Sequence, residues 1–528
     1  MTTLKVYFCR EEEIKPESNG FSVHLFRTSD NWNDYGMRTI FEVKIYSNAT
    51  LVAEIKEFTK IAFLDESIES QIIKIGQVRI RDLPEDFLSQ LADEESYNII
   101  LGVLGFSKSM RLLMLLRDFA TLKSLGYDLN FIFEKNKDVY YKSLTRYSSP
   151  YSAVNGCSSL FQVSVESVEP QINCSFELEG FENSHNLNLS FAENPILKNR
   201  VNILVGKNGV GKSQSLKYIS LKVIEDIIAG ASTRNANFNR VLAISNILED
   251  AFPTITDLPK LGGVFYKYIN LLGREGSQST TASVVDILRQ RNVLKESDKL
   301  SVLHASLKGV LDYDDLWLPL KAESVEFATH LVEDTTYFPA SSFSSLSERK
   351  RLQLTATVDH NKPVQIILND KFVKLSTGQQ FFLNIALKVV SYISPRSLLL
   401  FEEPETYLHP NLEVDFFRFV TSLLDVADSY GIFSTHSVYL VREVMNSQVR
   451  VLDKRNDVIN VYQPSIQTFG ASLDTISDYI FGDLSINPVF KTELDKLGVP
   501  SDARLKTLSK FLGEDAIYYL VNRKQKLK

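Results

Sequence analysis

The sequence predicts an α/β protein in three parts: a mixed α+β domain over residues 1–160, an α/β head over 161–465 with a helical insertion near 270–335, and a helical tail over 466–528. Three observations predict it. Arg200–Val205 reads as a buried strand that runs into a glycine-rich loop and then a helix, Leu398–Phe401 is a short apolar strand ending in carboxylates, and Gly431–Thr435 is a strand ending in His436-Ser437. Short apolar runs bounded by turn residues and joined to helical stretches are the pattern of an α/β core. At about 150 residues per domain, 528 residues make two or three domains.

In the first part, Phe41–Ile45 and Val78–Ile80 alternate as half-buried strands do, and Ser107–Leu125 has helical periodicity with Gly126 as its stop. The Ser-rich stretch Ser143–Ser159 is a candidate linker. Phe161–Val168 and Phe176–Phe181 follow as two strand-like runs. Neither an internal repeat nor a low-complexity tract is present.

Composition excludes several classes. Hydrophobic residues are 44% and charged residues 23%, so the chain is neither disordered nor fibrous. Three distant cysteines, Cys9, Cys157 and Cys174, build neither a disulfide framework nor a thiolate metal site. No apolar run approaches the roughly 20 residues a membrane span needs, and the N-terminus reaches Arg10-Glu11-Glu12-Glu13 too soon for a signal peptide, so a soluble cytoplasmic protein is expected. A net charge of −7 gives no field that would draw nucleic acid non-specifically. The basic clusters Arg349-Lys350-Arg351 and Arg523–Lys528 read as solvated faces or as contacts to phosphate backbones or a partner.

The chemistry begins at Gly206-Lys207-Asn208-Gly209-Val210-Gly211-Lys212-Ser213, which matches G-x-x-x-x-G-K-[ST] in full. A strand precedes it, and the helix Ser213–Ala229, stopped by Gly230, follows. Glycines let backbone N–H groups turn inward around phosphate oxygens, and the helix N-terminus adds its dipole. Lys212 would reach the β- and γ-phosphates, and the Ser213 hydroxyl would ligate Mg²⁺.

Further on, Leu375-Ser376-Thr377-Gly378-Gln379 opens a helix that begins at Gln380, a second anion-type N-terminus. The strand Leu398–Phe401 delivers Glu402-Glu403-Pro404-Glu405. Carboxylates at the end of a buried strand are costly unless they meet a metal or move a proton. Glu402 therefore reads as a Mg²⁺ holder through water, and Glu403 as the base that polarises an attacking water. Glu405–Pro410 leads into a helix at Asn411, and His436 is placed to hydrogen-bond a γ-phosphate.

These motifs resemble the head of ABC-class ATPases, the fold of transporter ATPases and of RecF-like and SMC-like proteins. The resemblance covers about residues 160–465, with Walker A at Gly206–Ser213, the signature at Leu375–Gln379, Walker B at Leu398–Glu403, the D-loop region at Glu405–Pro410 and the switch histidine at His436. It departs at Glu402, where the family usually has Asp, and at Gln214, which follows Walker A where a second hydroxyl is common. The resemblance implies ATP and Mg²⁺ as cofactors, and a homodimer in which Ser376 and Gly378, with Gln379 beside them, reach the γ-phosphate held by the partner's phosphate loop. Ser245-Asn246 stands where the family places its Q-loop glutamine. Phe181 is a candidate for the aromatic under the adenine, with an ordinary core phenylalanine an equal reading.

The insertion between Lys212 and Ser376 lacks sustained heptads, and Ala282–Leu307 offers one or two short helices, so it is no SMC coiled-coil arm. The runs Asn31–Gly36, Glu402–Pro410, Phe433–Ser437 and Thr468–Asp474 are similar to the ATPase subunits of bacterial anti-phage systems of the Septu type, some linked to retrons. That resemblance implies a separate HNH nuclease subunit as partner and, in retron forms, a reverse transcriptase with its RNA–DNA product. Trp32 and Tyr35 within the first run read by preference as plain core packing. The 92 residues after His436 read as helices and do not fit a fused TOPRIM nuclease. A RecF-like DNA-repair ATPase and a nucleotide-gated scaffold with little turnover are the competing readings.

Overall fold

The computed structural model describes residues 4–27, 39–63, 77–83, 87–125, 127, 144, 169–192, 200–233, 237–246, 252–259, 262–271, 279–290, 293–294, 297–308, 311, 315–321, 327, 330–332, 335–368, 371–373, 375–481, 489–496 and 500–526. The runs Asn31–Gly36 and Phe161–Val168, the linker apart from Leu144, Gly126, Cys157 and the last two residues, Leu527 and Lys528, lie outside the described residues.

The N-terminal domain is a six-stranded sheet built from β1 (Leu4–Cys9), β2 (Phe21–Arg27), β3 (Ile40–Ser47), β4 (Thr50–Phe63), β5 (Val78–Arg79) and β6 (Phe87–Gln90), in the order β5-β1-β2-β3-β4-β6. The alternation in Phe41–Ile45 holds: Phe41, Val43 and Ile45 are buried and their neighbours half-buried. Helices α1 (Glu94–Leu104), α2 (Phe106–Leu115) and α3 (Phe119–Ser124) follow. The expected single helix over Ser107–Leu125 is thus two. Arg117 turns to φ 51°, its carbonyl accepts from Ser89 N–H at 3.2 Å, and buried Asp118 caps Thr121 N–H at 2.9 Å. Pairing with β6 and a new N-cap outweigh helical propensity here.

A hairpin, β7 (Gln171–Phe176) and β8 (His185–Ser190), leads into the head. The strand expected over Phe176–Phe181 ends at Phe176, because Glu177–Ser184 forms the hairpin's turn, with Gly180 at φ 86°.

The head begins with β9 (Val201–Gly206), α4 (Lys212–Thr233), β10 (Arg240–Ser245) and β11 (Tyr266–Asn270). Gly230 does not stop α4, which continues three residues past it. The insertion holds α5 (Thr280–Arg289), a small hairpin of β12 (Val293–Leu294) and β13 (Ser297–Asp298), then α6 (Lys299–Leu307), β14 (Asp315–Leu320), β15 (His330–Val332), β16 (Thr335–Pro339), α7 (Glu348–Thr357), β17 (Gln365–Leu368) and β18 (Lys371–Phe372). Its two short helices match expectation. The five-stranded antiparallel sheet β15-β16-β14-β17-β18 was not legible, because β14 is buried at nearly every position and carries Pro319.

The head resumes with α8 (Thr377–Tyr392), β19 (Ser397–Glu402), α9 (Pro410–Val426), β20 (Tyr430–Thr435), α10 (Val438–Arg442), β21 (Val449–Arg455) and β22 (Val458–Tyr462). Its seven strands run β11-β10-β19-β20-β9-β21-β22, parallel except for the β21–β22 pair. Every residue of β9, β10 and β19 is buried, as expected of parallel strands covered on both faces. Each fully buried Ile, Leu or Val contributes about 1.5–3 kcal/mol. The tail comprises α11 (Leu473–Phe481), α12 (Val489–Lys496), α13 (Asp502–Leu508) and α14 (Glu514–Lys526). Ile476 and Ile480 of α11 join the head's core.

Candidate functional site

Register puts the chemistry on one edge. Glu402 pairs with Ser434 and with Ser245, and Thr435 pairs with Val205. The next residues, Glu403, Asn246, His436 and the phosphate loop, therefore leave the sheet together at its C-terminal edge, where α/β sheets bind ligands. Strand β20 lies between the two Walker strands, so His436 sits between Lys212 and the carboxylates.

Gly206 and Gly211 are required by geometry. A Cβ on Gly206 would lie 2.3 Å from the Leu452 carbonyl oxygen, and one on Gly211 would lie 2.7 Å from Leu178 and 2.9 Å from His185. Gly211 also has φ 89°, which costs a side chain dearly. His185 is fully buried beneath the loop, its Nε2 3.2 Å from the Val210 carbonyl, and it stacks on Phe176. The β7–β8 hairpin thus props the phosphate loop from behind, a support that nothing in the sequence marked. Phe181 meets His185 edge-on at 4.6 Å and carries the Lys454 amine 4.6 Å from its ring centroid.

Lys212 is 5% exposed. Its amine donates to the Gly206 and Lys207 carbonyls at 3.1 and 3.2 Å and lies 2.7 Å from Nε2 of His436. Burial lowers its pKa, and Glu403, Glu405 and Glu402 oppose that. His436 Nε2 is 3.3 Å from Glu403 Oε1. The hydrogen bond from His436, then its charge and that of Lys212, hold the Glu403 carboxyl below the usual range against desolvation.

Glu403 itself occupies the left-handed region at φ 42°, ψ 53°. Such strain, about 1–3 kcal/mol, persists only where surroundings enforce it. Its N–H donates to Ser434 O at 2.8 Å, and its carbonyl accepts from Asn246 Nδ2 at 3.0 Å and from Thr406 Oγ1 at 2.9 Å. Asn246, expected as a stand-in for the Q-loop, is therefore brought to the Walker B turn.

Glu402 is buried, hydrogen-bonds the Ser213 side chain, and is held above the usual carboxylate range by desolvation. Its Oε2, Asn246 Oδ1 and Ser434 Oγ are buried without hydrogen-bond partners among the described residues. A hydroxyl, a carboxylate and further hard oxygens fit a Mg²⁺ that takes few protein ligands and completes its shell with water and substrate phosphates. Among the described residues no cluster of three or more His, Cys, Asp or Glu side chains forms a metal cage.

Two further acids lie close by: Glu405, read only as part of the helix entry, and Glu413, which nothing in the sequence singled out. Glu405 Oε1 accepts from Thr435 Oγ1 at 2.7 Å and from His436 N–H at 2.8 Å, and Glu413 accepts from the Ser437 hydroxyl. Burial raises both carboxyls. The only sequence signal for Glu405 is a third carboxylate after the strand, one more than the metal and base roles need.

The signature is not part of this cluster. Ser376 caps α8 and is exposed, and its bonds stay within a capping box: Gln379 N–H to Ser376 Oγ at 3.3 Å and Ser376 N–H to Gln379 Oε1 at 3.0 Å. In the first basic cluster, Arg351 donates to the Phe343 and Ser344 carbonyls.

Together, the parallel sheet, the phosphate loop and the acidic strand end form a P-loop arrangement at one edge of the head sheet. A family model described as "AAA domain, putative AbiEii toxin, Type IV TA system" matches residues 213–442. The chain is similar to "Protein ea59" of Escherichia phage lambda, 24% identical over 490 residues and covering 86% of each. Among solved structures it is similar to an SMC head domain from Thermotoga maritima, at 12% identity and a TM-score of 0.27, over 56% of this chain and 99% of that one. A bacterial Atm1-family ABC exporter with ATP bound gives 13% identity and a TM-score of 0.27, over 72% of this chain and 57% of the exporter. No helix among the described residues is long and apolar enough to cross a membrane.

Proposed function

We propose that the chain hydrolyses ATP as an ABC-class homodimer and so controls a separate nuclease subunit in a phage–bacterium conflict system. The observation that carries the ATPase reading is the line Lys212 Nζ, His436 Nε2, Glu403 Oε1, with steps of 2.7 and 3.3 Å. Bound MgATP supplies the phosphoryl group that is transferred to water. Lys212 neutralises the β- and γ-phosphates, Glu403 orients and deprotonates the water, and His436 donates to the γ-phosphate. Ser213 and Glu402 would hold a Mg²⁺, which would neutralise phosphate charge there.

The helix N-terminus at exposed Ser376 and half-buried Gly378 supports a composite site completed by a second chain. The phage protein among the relatives and the toxin named in the family description support a role in phage–bacterium conflict. The partner inferred from the resemblance is an HNH-type nuclease, joined in retron-type systems by a reverse transcriptase and its RNA–DNA product. The net charge of −7 fits delegation of nucleic-acid contact to a partner.

Mixing tests the dimer. Lys212→Ala and Ser376→Arg chains, each expected to be inactive alone, should recover part of the wild-type hydrolysis when combined, because one composite site keeps both intact halves. No recovery on mixing, with both chains folded, counts against sharing in trans. Operon-level co-purification with a nuclease subunit checks the partner.

A further inference from the structure

Glu413 has no role in the transfer of phosphate to water, yet it is bonded to the residue that follows His436. It lies in the first turn of α9 and is 8% exposed. Its Oε2 accepts from the hydroxyl of Ser437, which is buried to the same degree. A carboxylate this far out of water is costly unless a donor meets it. The same hydroxyl caps α10, accepting from Leu440 N–H at 3.4 Å.

Three consecutive residues after the core of β20 are therefore tied down. Thr435 Oγ1 and His436 N–H donate to Glu405 Oε1 at 2.7 and 2.8 Å. Ser437 N–H donates to Thr435 Oγ1 at 2.8 Å, and Ser437 Oγ donates to Glu413. Glu405 holds the turn from the strand side and Glu413 from the helix side. His436 Nε2 stands 2.7 Å from Lys212 Nζ and 3.3 Å from Glu403 Oε1, and both distances change if the backbone that carries the ring rotates. Further along, α9 and the end of α10 part around a cavity of about 460 Å³, whose lining includes Val414, Phe417, Glu443 and Val444. Side chains that line a cavity lack contacts on one side and restrain one another less. The bond at the two helix starts then matters more to how α10 sits on α9.

We propose that Glu413 and Ser437 are a positioning pair for His436: their bond sets the peptide between His436 and Ser437 and so keeps the imidazole in line between Lys212 and Glu403. The consequence for catalysis rests on the ATPase reading, whereas the effect on the ring does not. A hydroxyl on an ionised carboxylate makes one of the stronger hydrogen bonds, which suits a link that must hold a side chain to within a fraction of an ångström. The pair also gives the exposed residues Thr406 and His409 a short route to the histidine. Glu413 N–H donates to the His409 carbonyl at 3.0 Å, so a displacement of that surface segment would reach His436 through one side chain.

The test uses two readouts on the full chain. One is steady-state ATP hydrolysis, with ATP affinity measured separately by a fluorescent analogue. The other is the ¹³Cε1 NMR signal of His436 in histidine-labelled protein, assigned by its loss in His436→Gln. That signal reports the surroundings of the ring whether or not ATP is turned over. Glu413→Ala should move the signal and lower kcat about tenfold, with ATP affinity within about twofold of wild type. Glu413→Gln keeps an oxygen for the Ser437 hydroxyl and should restore both readouts. Asp415→Ala, in the same helix and with its carboxylate on Arg418 at 2.6 Å, should change neither. Melts check the fold of each variant. Should Glu413→Ala not fold, Glu413→Leu with Ser437→Ala removes both partners without leaving a buried group unpaired, and the same shift is expected. An unmoved His436 signal in the folded protein overturns the proposal. So does a loss of ATP affinity as large as the loss of rate, a failure of Glu413→Gln to restore, or an equal effect of Asp415→Ala. A wild type that does not hydrolyse ATP counts against the ATPase reading instead, and the NMR signal still decides the pair.

Discussion

The amine of Lys212 and Nε2 of His436 lie 2.7 Å apart, although 224 residues separate them in sequence. The contact joins the phosphate loop to the end of β20 across the position where a γ-phosphate would sit between them. Phosphate would replace it, so nucleotide binding is expected to loosen His436 from Lys212 and leave it facing substrate. The same histidine touches Glu403, so nucleotide arrival would be felt at that carboxylate.

Glu405 holds that histidine's backbone. We expect Glu405→Ala to lower kcat about tenfold while ATP affinity stays near wild type, because His436 loses its anchor but Lys212 keeps its place. Glu405→Gln keeps an oxygen that accepts from His436 N–H and should restore most of the rate. The split between kcat and the nucleotide Kd, read by steady-state kinetics and a fluorescent ATP analogue, separates positioning from binding.

Gly211→Ala places a methyl group against Leu178 and His185 at a residue with φ 89°. The strain is about 1–3 kcal/mol before the clash is counted. A lower melting temperature together with loss of ATP binding is expected, since the hairpin and the loop must part. Binding at wild-type affinity would show that the hairpin does not support the loop.

Acid should weaken the N-terminal domain through His24. This histidine is fully buried beside Cys9 and Ser22, and burial depresses its pKa to about 4. Between pH 6.5 and about 4 the unfolded chain binds the proton and the folded one does not, so stability present above pH 6.5 is lost as pH falls. Buried Asp118, raised to about 6 by desolvation, acts in the opposite sense: it binds its proton more tightly when folded, and its contribution is lost as pH rises from about 4 to 6. In urea titrations at pH 7 and pH 5, His24→Gln should shrink the stability difference in favour of pH 7. An unchanged difference would acquit His24.

Much of the head was legible because its elements carry chemistry as well as propensity. The loop Gly206–Ser213, the strand end Glu402-Glu403 and His436 were all found in sequence, and the structure brings them within hydrogen-bonding reach. What escaped was set by contacts distant in the chain. Gly230 reads as a stop on propensity worth about 1 kcal/mol, yet α4 continues past it. Arg117 breaks a continuous helical pattern because its carbonyl pairs with Ser89. His185 supports the loop only through a fold-back over 25 residues, and no local pattern announces that. Glu405 was in view, but its partners Thr435 and His436 lie some 30 residues on. The signature was readable as a helix cap and nothing within one chain gives it a phosphate.

The central claim is that Glu403 makes this site a hydrolase rather than a nucleotide-gated scaffold. Steady-state ATP hydrolysis with Mg²⁺ by the wild type and by Glu403→Gln tests it most directly. The account predicts a fall in kcat of at least about a hundredfold, with ATP still bound at comparable affinity. Equal rates in the two proteins would contradict it.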